Sequence, residues 1–521
     1  MGALRVRQGR YPSLPTATID DYLPEAVLRR HSLADLPEQW VLAESRVGPD
    51  TWPEHTLGGW TLRRHPVLPV IGLRDADGAP VGWLLGYPVT EDGVLLCHGH
   101  EATLATGRSS EVGEWLDSLG GRWAVLLVAS DEPFVRLDAC GSLPAVYASG
   151  DRIVASTPHL VPYRPGLEDD IDLIRAMNTP LRHTFGGYPL GLTPRRGVRR
   201  LLPNHDLRLE SFDAVRSWPL KDIEPGSDVD EQVHQISELT GRTIAALVAT
   251  MPCSLPLTSG RDSRMLLATA RDHAPELELF TSRLQRATGV PDWTSLVDAR
   301  VAGKIARRHG LRHRVAPITR GRDEDLDEWV FRSAGMISAP RAWRGVTGLK
   351  ILDPRRTRLL GAVGELGRAR LWEPNDTPDT EIMPQRLLSI AHLPSTDQTL
   401  GEVSTWLENF PTSNAFTTLN VYFLEQGLGC MAAMLTHAEY AGPGFTVFPM
   451  NHAGIVRRMC SMPYDFQRSG QLPQAVIRES WPELLDVPFH RDSGVDKVFA
   501  AQRLTLGARA RVRRWVHPRG R

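Results

Sequence analysis

Apolar positions are spaced in two different ways along the chain, and the change falls near residue 220. Before it, residues 69–73, 82–87, 94–97, 123–129, 135–138 and 145–148 are short apolar or alternating runs. Gly, Pro and Asp turns split them, which is the pattern of strands. Helical spacing in this half is confined to 19–31 and 110–119. A polar connection, residues 221–228, follows. Beyond it the period lengthens. Residues 229–250 place Val233, Ile236, Leu239, Ile244 and Leu247 near one face of a helix.

Strands and helices then alternate. An apolar run reaches Leu257, a turn follows, and 265–270 is helical in pattern. Residues 277–282 read as the next strand. Residues 294–309 form a helix with Val297, Val301 and Ile305 four apart, stopped by Gly310. Further strands are expected at 313–317 and 357–362, and 402–481 reads as mostly helical. This βαβα order predicts a parallel sheet covered by helices, with ligands at the carboxyl ends of its strands.

At 521 residues the chain exceeds one ordinary core. Two domains are expected, 1–220 and 221–500, with a basic tail at 501–521. The first is β-rich with few helices, an α+β pattern, and the second is α/β. Hydrophobic content of 41%, charge of 23% and a net charge of −1 describe a soluble globular protein. No global field favours nucleic acid or membrane, so neither is expected as a partner. The five cysteines are scattered without a CxxC pair, which argues against a disulfide framework or zinc site and fits a reducing cytoplasm. Met1 to Arg7 carries no apolar segment, so no signal peptide is expected. No apolar run approaches the roughly 20 residues of a membrane helix.

The chemistry concentrates in the turn after residue 257. Thr258-Ser259-Gly260-Arg261-Asp262-Ser263 joins an apolar strand pattern to a helix. Such a turn can aim N–H groups and a helix N-terminus at a phosphate, with Asp262 holding Mg²⁺ beside it. Thr258 and Ser263 supply hydroxyls, Gly260 permits close approach, and Arg261 and Arg264 add positive charge or face solvent. A plain helix cap is the bland alternative. A second glycine-acid run, Gly361-Ala362-Val363-Gly364-Glu365-Leu366-Gly367-Arg368, follows the strand expected at 357. Two acids, Asp262 and Glu365, facing one Mg²⁺–pyrophosphate group make electrostatic sense.

The first turn resembles the Ser-Gly-Gly-x-Asp-Ser pyrophosphate loop of the asparagine-synthetase family, ATP-pyrophosphatase enzymes that form amides through an acyl-adenylate. The second run resembles that family's acidic glycine motif, with Ala362 replacing one acid. The resemblance implies an adenine nucleotide alpha hydrolase-like α/β domain with a helical end. It implies ATP and Mg²⁺ as cofactors, with Asp262 and Glu365 as metal ligands and catalytic groups. Leu257, Thr258, Ser259, Gly260, Arg261, Asp262, Ser263, Thr281, Gly361 and Gly364 would bind the nucleotide. Leu257 and Thr281 would flank adenine. Asp298 falls in a stretch similar to the family's acidic helix. Residues 423–429, 447–451 and 481–485 resemble its packing elements. The family's catalytic lysine is missing. Gln474 stands at the matching position of Gln474-Ala475-Val476-Ile477-Arg478, and Lys497 or Arg478 is the candidate substitute.

Residues 123–128, Leu137 to Pro144 and Tyr147 resemble the glutaminase-like domain fused to asparagine synthetases, as do 201–206 with Ser217-Trp218. That implies an Ntn-type αββα sandwich. Its nucleophile, a cysteine after the initiator methionine, is absent: Gly2 stands there and the first cysteine is Cys97. The resemblance therefore implies a ligase that does not hydrolyse glutamine and takes its amine from the substrate or from ammonia. It is similar in this to β-lactam synthetases and lasso-peptide cyclases. The expected substrates are a small-molecule or peptide carboxylate and an amine, in specialised biosynthesis. A macrolactam cyclase, an ammonia-fed asparagine synthetase and a non-catalytic ATP-binding scaffold remain the alternatives.

Two weaker signals complete the reading. Cys97-His98-Gly99-His100 offers metal-ligand types but too few for a site, so a strand-end turn is expected. Residues 503–521 carry seven arginines and no acid. They form either a solvated end or a contact surface for an acidic partner protein or peptide.

Overall fold

The computed structural model describes residues 23–104, 109–178, 187–284, 293–318, 323–337, 353–432, 437 and 445–489. Short strands with frequent turns can bury apolar faces only by stacking sheets, and the first part does this. Its strands are β1 (Trp40–Ala43), β2 (Glu54–Leu57), β3 (Trp60–Arg64), β4 (Val70–Arg74), β5 (Pro80–Val89), β6 (Glu101–Thr103), β7 (Gly120–Leu127), β8 (Phe134–Leu137), β9 (Ala145–Ala148), β10 (Ile153–Ala155), β11 (Arg199–Leu201), β12 (His205–Arg208) and β13 (Ala214–Arg216). They form a six-stranded sheet ordered β11-β9-β10-β1-β3-β2 and a seven-stranded sheet ordered β13-β12-β8-β7-β5-β4-β6. Only β4 and β6 pair in parallel.

Trp40, Leu42 and Leu62 of the first sheet meet Leu85, Ala124 and Leu126 of the second in a dry inner layer. Helix α1 (Pro24–Leu28) covers the outer face of the first sheet, and α2 (Ser109–Asp117) covers that of the second. The layers run helix, sheet, sheet, helix. Strands buried on both faces read as continuous apolar runs, which is why β1 and β7 are buried at every position. Residues 94–97 do not form the expected strand. Leu95 makes one bridge to Val89, and a turn follows in which the Cys97 N–H donates to His100 Nδ1 at 3.1 Å. Among the described residues no group of three or more His, Cys, Asp or Glu could hold a metal.

Helix α3 (Ile171–Met177) precedes the polar connection, and α4 (Val229–Thr250) follows it. Asp228 caps α4 by accepting from the Glu231 N–H at 2.9 Å. The face expected from sequence is the buried one, with Leu239 at its margin. The third sheet comprises β14 (Cys253–Pro256), β15 (Glu278–Leu284), β16 (His313–Ile318), β17 (Thr357–Leu359) and β18 (Thr446–Val447). Its order is β16-β15-β14-β17-β18 and every pair is parallel. Helices α5 (Asp262–Thr269) and α6 (Trp293–Arg308) follow β14 and β15, and Gly310 ends α6 with φ +66°.

Helix α7 (Asp323–Ser333) follows β16 in sequence but does not stay with the third sheet. Trp329, Val330 and Phe331 pack with Val27, Val41 and Val146 on the outside of the first sheet, and Asp327 pairs with Arg30 and His31. The 357–362 strand is shorter than expected, because a 3₁₀ turn begins at Ala362. The two parts share an apolar cluster in which Tyr87 stacks on Phe445 with ring centroids 3.4 Å apart. No helix among the described residues is long and apolar enough to cross a membrane.

Candidate functional site

β14 lies in the middle of the parallel sheet, with β15 on one side and β17 on the other. The turn after β14 and the turn after β17 therefore emerge side by side at the carboxyl ends of adjacent strands. The first turn is closed by its own hydroxyls. The Thr258 N–H donates to Ser263 Oγ at 3.1 Å, the two hydroxyls are 2.9 Å apart, and the Gly260 N–H donates to Thr258 Oγ1 at 3.0 Å. Asp298, on α6, accepts from the Ser259 N–H at 3.0 Å and from its hydroxyl. Arg261 at the N-cap supplies no side-chain cap to α5, whose N-terminus is of the kind that can receive an anion.

Asp262 is the first residue of α5. Its side chain is 27% exposed and that of Glu365 is 32% exposed. One guanidinium joins them. Arg368 Nη2 lies 2.8 Å from Asp262 Oδ2 and 3.5 Å from Glu365 Oε1. The other oxygen of Glu365 accepts from Arg370 Nε at 2.9 Å. Asp262 Oδ1 is buried without a hydrogen-bond partner among the described residues. Burial pushes the Asp262 carboxyl up to about 6, with Arg368 opposing the rise and Glu365 adding to it.

The second turn makes this approach through its glycines. A Cβ on Gly361 would stand 3.0 Å from the Asp262 carbonyl oxygen. One on Gly364 would meet Met265 Cε at 2.4 Å, with Asp262 Oδ1 at 3.5 Å. Side chains here would force the acids apart.

The structure gives the remaining candidate residues the following partners. Arg264 is fully buried, stacked 4.2 Å from the Phe489 ring centroid and donating to the carbonyls of Leu484 and Val487. It neither faces solvent nor adds charge to the loop. Arg261 donates to the Gly470 carbonyl at 3.2 Å. Thr281 is buried, and its hydroxyl lies 2.6 Å from the Leu257 carbonyl and 2.8 Å from His313 Nε2. That leaves backbone rather than this hydroxyl for a base. Gln474 lies on the helix Leu472–Ser480 that packs against α5, with its amide oxygen buried and unpartnered among the described residues. Arg478 is exposed on the same helix. Lys497 and the tail 501–521 lie outside the described residues. Sequence reasoning missed the part Arg368 plays. Its signal was the arginine three places after Glu365, one helical turn along.

A scan of protein-family models finds no match to this chain, and a search of curated proteins finds none either. The site therefore rests on its own geometry.

Two carboxylates on neighbouring turns offer hard oxygen donors. The unpartnered Asp262 Oδ1 fits a divalent cation that completes its shell with phosphate oxygens and water rather than with more protein ligands. Among the described residues, Asp262 and Glu365 are the pair that could hold Mg²⁺ at this loop.

Proposed function

We propose that the chain is an ATP-dependent, AMP-forming C–N ligase of the asparagine-synthetase type. It adenylates a carboxylate and couples it to an amine, without glutamine hydrolysis, in specialised peptide or small-molecule biosynthesis. One observation carries the reading. Turns at the carboxyl ends of two adjacent parallel strands bring Asp262 and Glu365 to one guanidinium, that of Arg368, beside a helix N-terminus that its N-cap side chain leaves uncapped.

In this reading the first turn of α5 takes the polyphosphate of ATP, and Asp262 with Glu365 holds Mg²⁺. Bound there, Mg²⁺ would offset the charge that builds on pyrophosphate. The substrate carboxylate attacks the α-phosphorus, pyrophosphate leaves, and the amine then displaces AMP from the acyl-adenylate. Backbone of Leu257 and of β15 near Thr281 borders the place for adenine. Lys497 stays the proposed source of a further positive charge.

The first part is read as a glutaminase-like sandwich that has lost its chemistry, which its helix–sheet–sheet–helix order supports. Burial raises the thiols of Cys140 and Cys430 and pushes those of Cys253 and Cys460 up to about 12, so none of these serves as a thiolate nucleophile. Free buried thiols also suit the cytoplasm. The scaffold reading draws on the uncharged Gln474, on a helix that packs against α5, and on Ala362 in place of an acid.

ATP–pyrophosphate exchange with pooled carboxylic acids and peptides tests the proposal. Exchange that depends on one acid and drops by at least about 100-fold in Asp262→Asn is expected for a group of this kind. A folded protein that binds ATP yet gives no exchange with any acid would favour the scaffold.

A further inference from the structure

The two acids of the site are already neutralised without a metal. Arg368 spans both, and Arg370 holds the outer oxygen of Glu365. Arg368 is only 16% exposed, and Ala369, with φ +47°, turns the chain so that the two guanidiniums approach from different directions. The two acids are thus met by the charges of Arg368 and Arg370, with Arg261 also acting on Asp262. A divalent ion entering alone would have to eject Arg368 and leave it unpaired beside a second arginine. An ion entering with a polyphosphate brings more negative charge than it cancels, and a new partner for the ejected guanidinium, which is planar and bidentate.

We propose that Arg368 is an exchange residue: it occupies the cation position between Asp262 and Glu365 at rest and moves onto the polyphosphate when metal and nucleotide arrive together. It is a positioning residue that makes metal binding conditional on nucleotide. The inference rests on the ligase reading above and adds an order of events to it. Three features favour it over a merely structural ion pair. The contact to Glu365 is long, at 3.5 Å. Asp262 Oδ1 is left unpartnered among the described residues although Arg368 stands beside it. And the acid that Arg368 holds, Asp262, is the first residue of α5, so a phosphate at that helix N-terminus is expected near the guanidinium.

The test compares the full chain with Arg368→Gln in two binding experiments. In the first, Mn²⁺ alone is titrated and followed by the electron paramagnetic resonance of the free ion. In the second, α,β-methylene-ATP is titrated calorimetrically at saturating Mn²⁺. The expected result is a split of opposite sign. The variant binds Mn²⁺ alone at least about tenfold more tightly, because two carboxylates lose their internal cation. It binds the nucleotide at least about tenfold more weakly, because a charge-assisted phosphate contact is gone. Both affinities rising together, or an unchanged nucleotide affinity, would reduce Arg368 to a structural pair and overturn the inference while leaving the ligase reading in place. No nucleotide binding by the unaltered chain in either arm overturns both. If Arg368→Gln does not fold, Arg368→Lys is read the same way, with shifts of about threefold expected from its compact charge.

Discussion

At the residue scale Asp262 sets the character of the site. Burial holds its protonation midpoint near 6 instead of near 3.8, so at neutral pH it is ionised against a penalty. The folded state then binds the proton more tightly than the unfolded chain. The group's contribution to stability is therefore greatest below about pH 4 and declines as the pH rises through 6. Asp262→Asn removes the penalty. In chelator, the variant is expected to be about 1–3 kcal/mol more stable at about pH 7.5, the range allowing for screening of a side chain 27% exposed. The gain should shrink as the pH falls toward 4. Thermal melts at two pH values measure it, and a gain independent of pH would mean that the carboxylate is not strained. The same substitution that abolishes exchange is thus expected to strengthen the fold, as happens where function holds a charge in an unfavourable place.

At the element scale, what could be read from sequence was what depends on local pattern. The polar connection ends on Asp228, and α4 begins there because that carboxylate satisfies an N–H that the first turn leaves open. Asp228→Ala is expected to cost about 1 kcal/mol in chemical denaturation and to leave exchange per folded molecule unchanged. Residues 229–250 and 294–309 were legible because one period of 3.6 ran through each, and 145–148 because an apolar run stands between turns. The loop at 258–263 was legible because its residue types and its place between strand and helix agree. Other features were hidden for physical reasons. The strands β10 to β13 are three or four residues long, too short for a period to show. Helix α7 has an ordinary amphipathic pattern, and nothing local says which sheet its apolar face will choose. Arg264 and Arg368 are alike in sequence, yet one lines a buried carbonyl nest and the other bridges two acids. Partners distant in the chain decide that.

At the scale of the whole molecule, the two parts meet through buried polar contacts as well as the shared apolar cluster, and the Asn451 amide is one of them. Asn451 donates from Nδ2 to Asp138 Oδ1 and the Gly121 carbonyl, both at 2.6 Å, and to Ser142 Oγ at 3.0 Å; its Oδ1 accepts from the Cys140 N–H at 3.0 Å. Asp138 is fully buried, and burial raises its carboxyl against these donors. Asn451→Ala should leave a buried carboxylate short of a donor and cost about 2–3 kcal/mol. Because one apolar cluster runs through both parts, the loss should appear as an earlier single transition in calorimetry rather than as the separation of two melts. Two resolved transitions in the unaltered chain would contradict this coupling.

The residue before that amide touches the other end of the molecule's work. Met450 Sδ lies 3.6 Å from where a Cβ on Gly364 would stand, so neighbours in sequence face the acidic turn on one side and the first part on the other. A chain severed in the polar connection 221–228 would keep the turns that carry Asp262 and Glu365 in its second piece. Isolated, that piece would also bare Phe445, strip the Asn451 side chain of its partners in the first part and loosen the floor beneath Gly364. The upstream half then acts as a brace, and shortening the protein to its second part should loosen the acidic turns before it unfolds them.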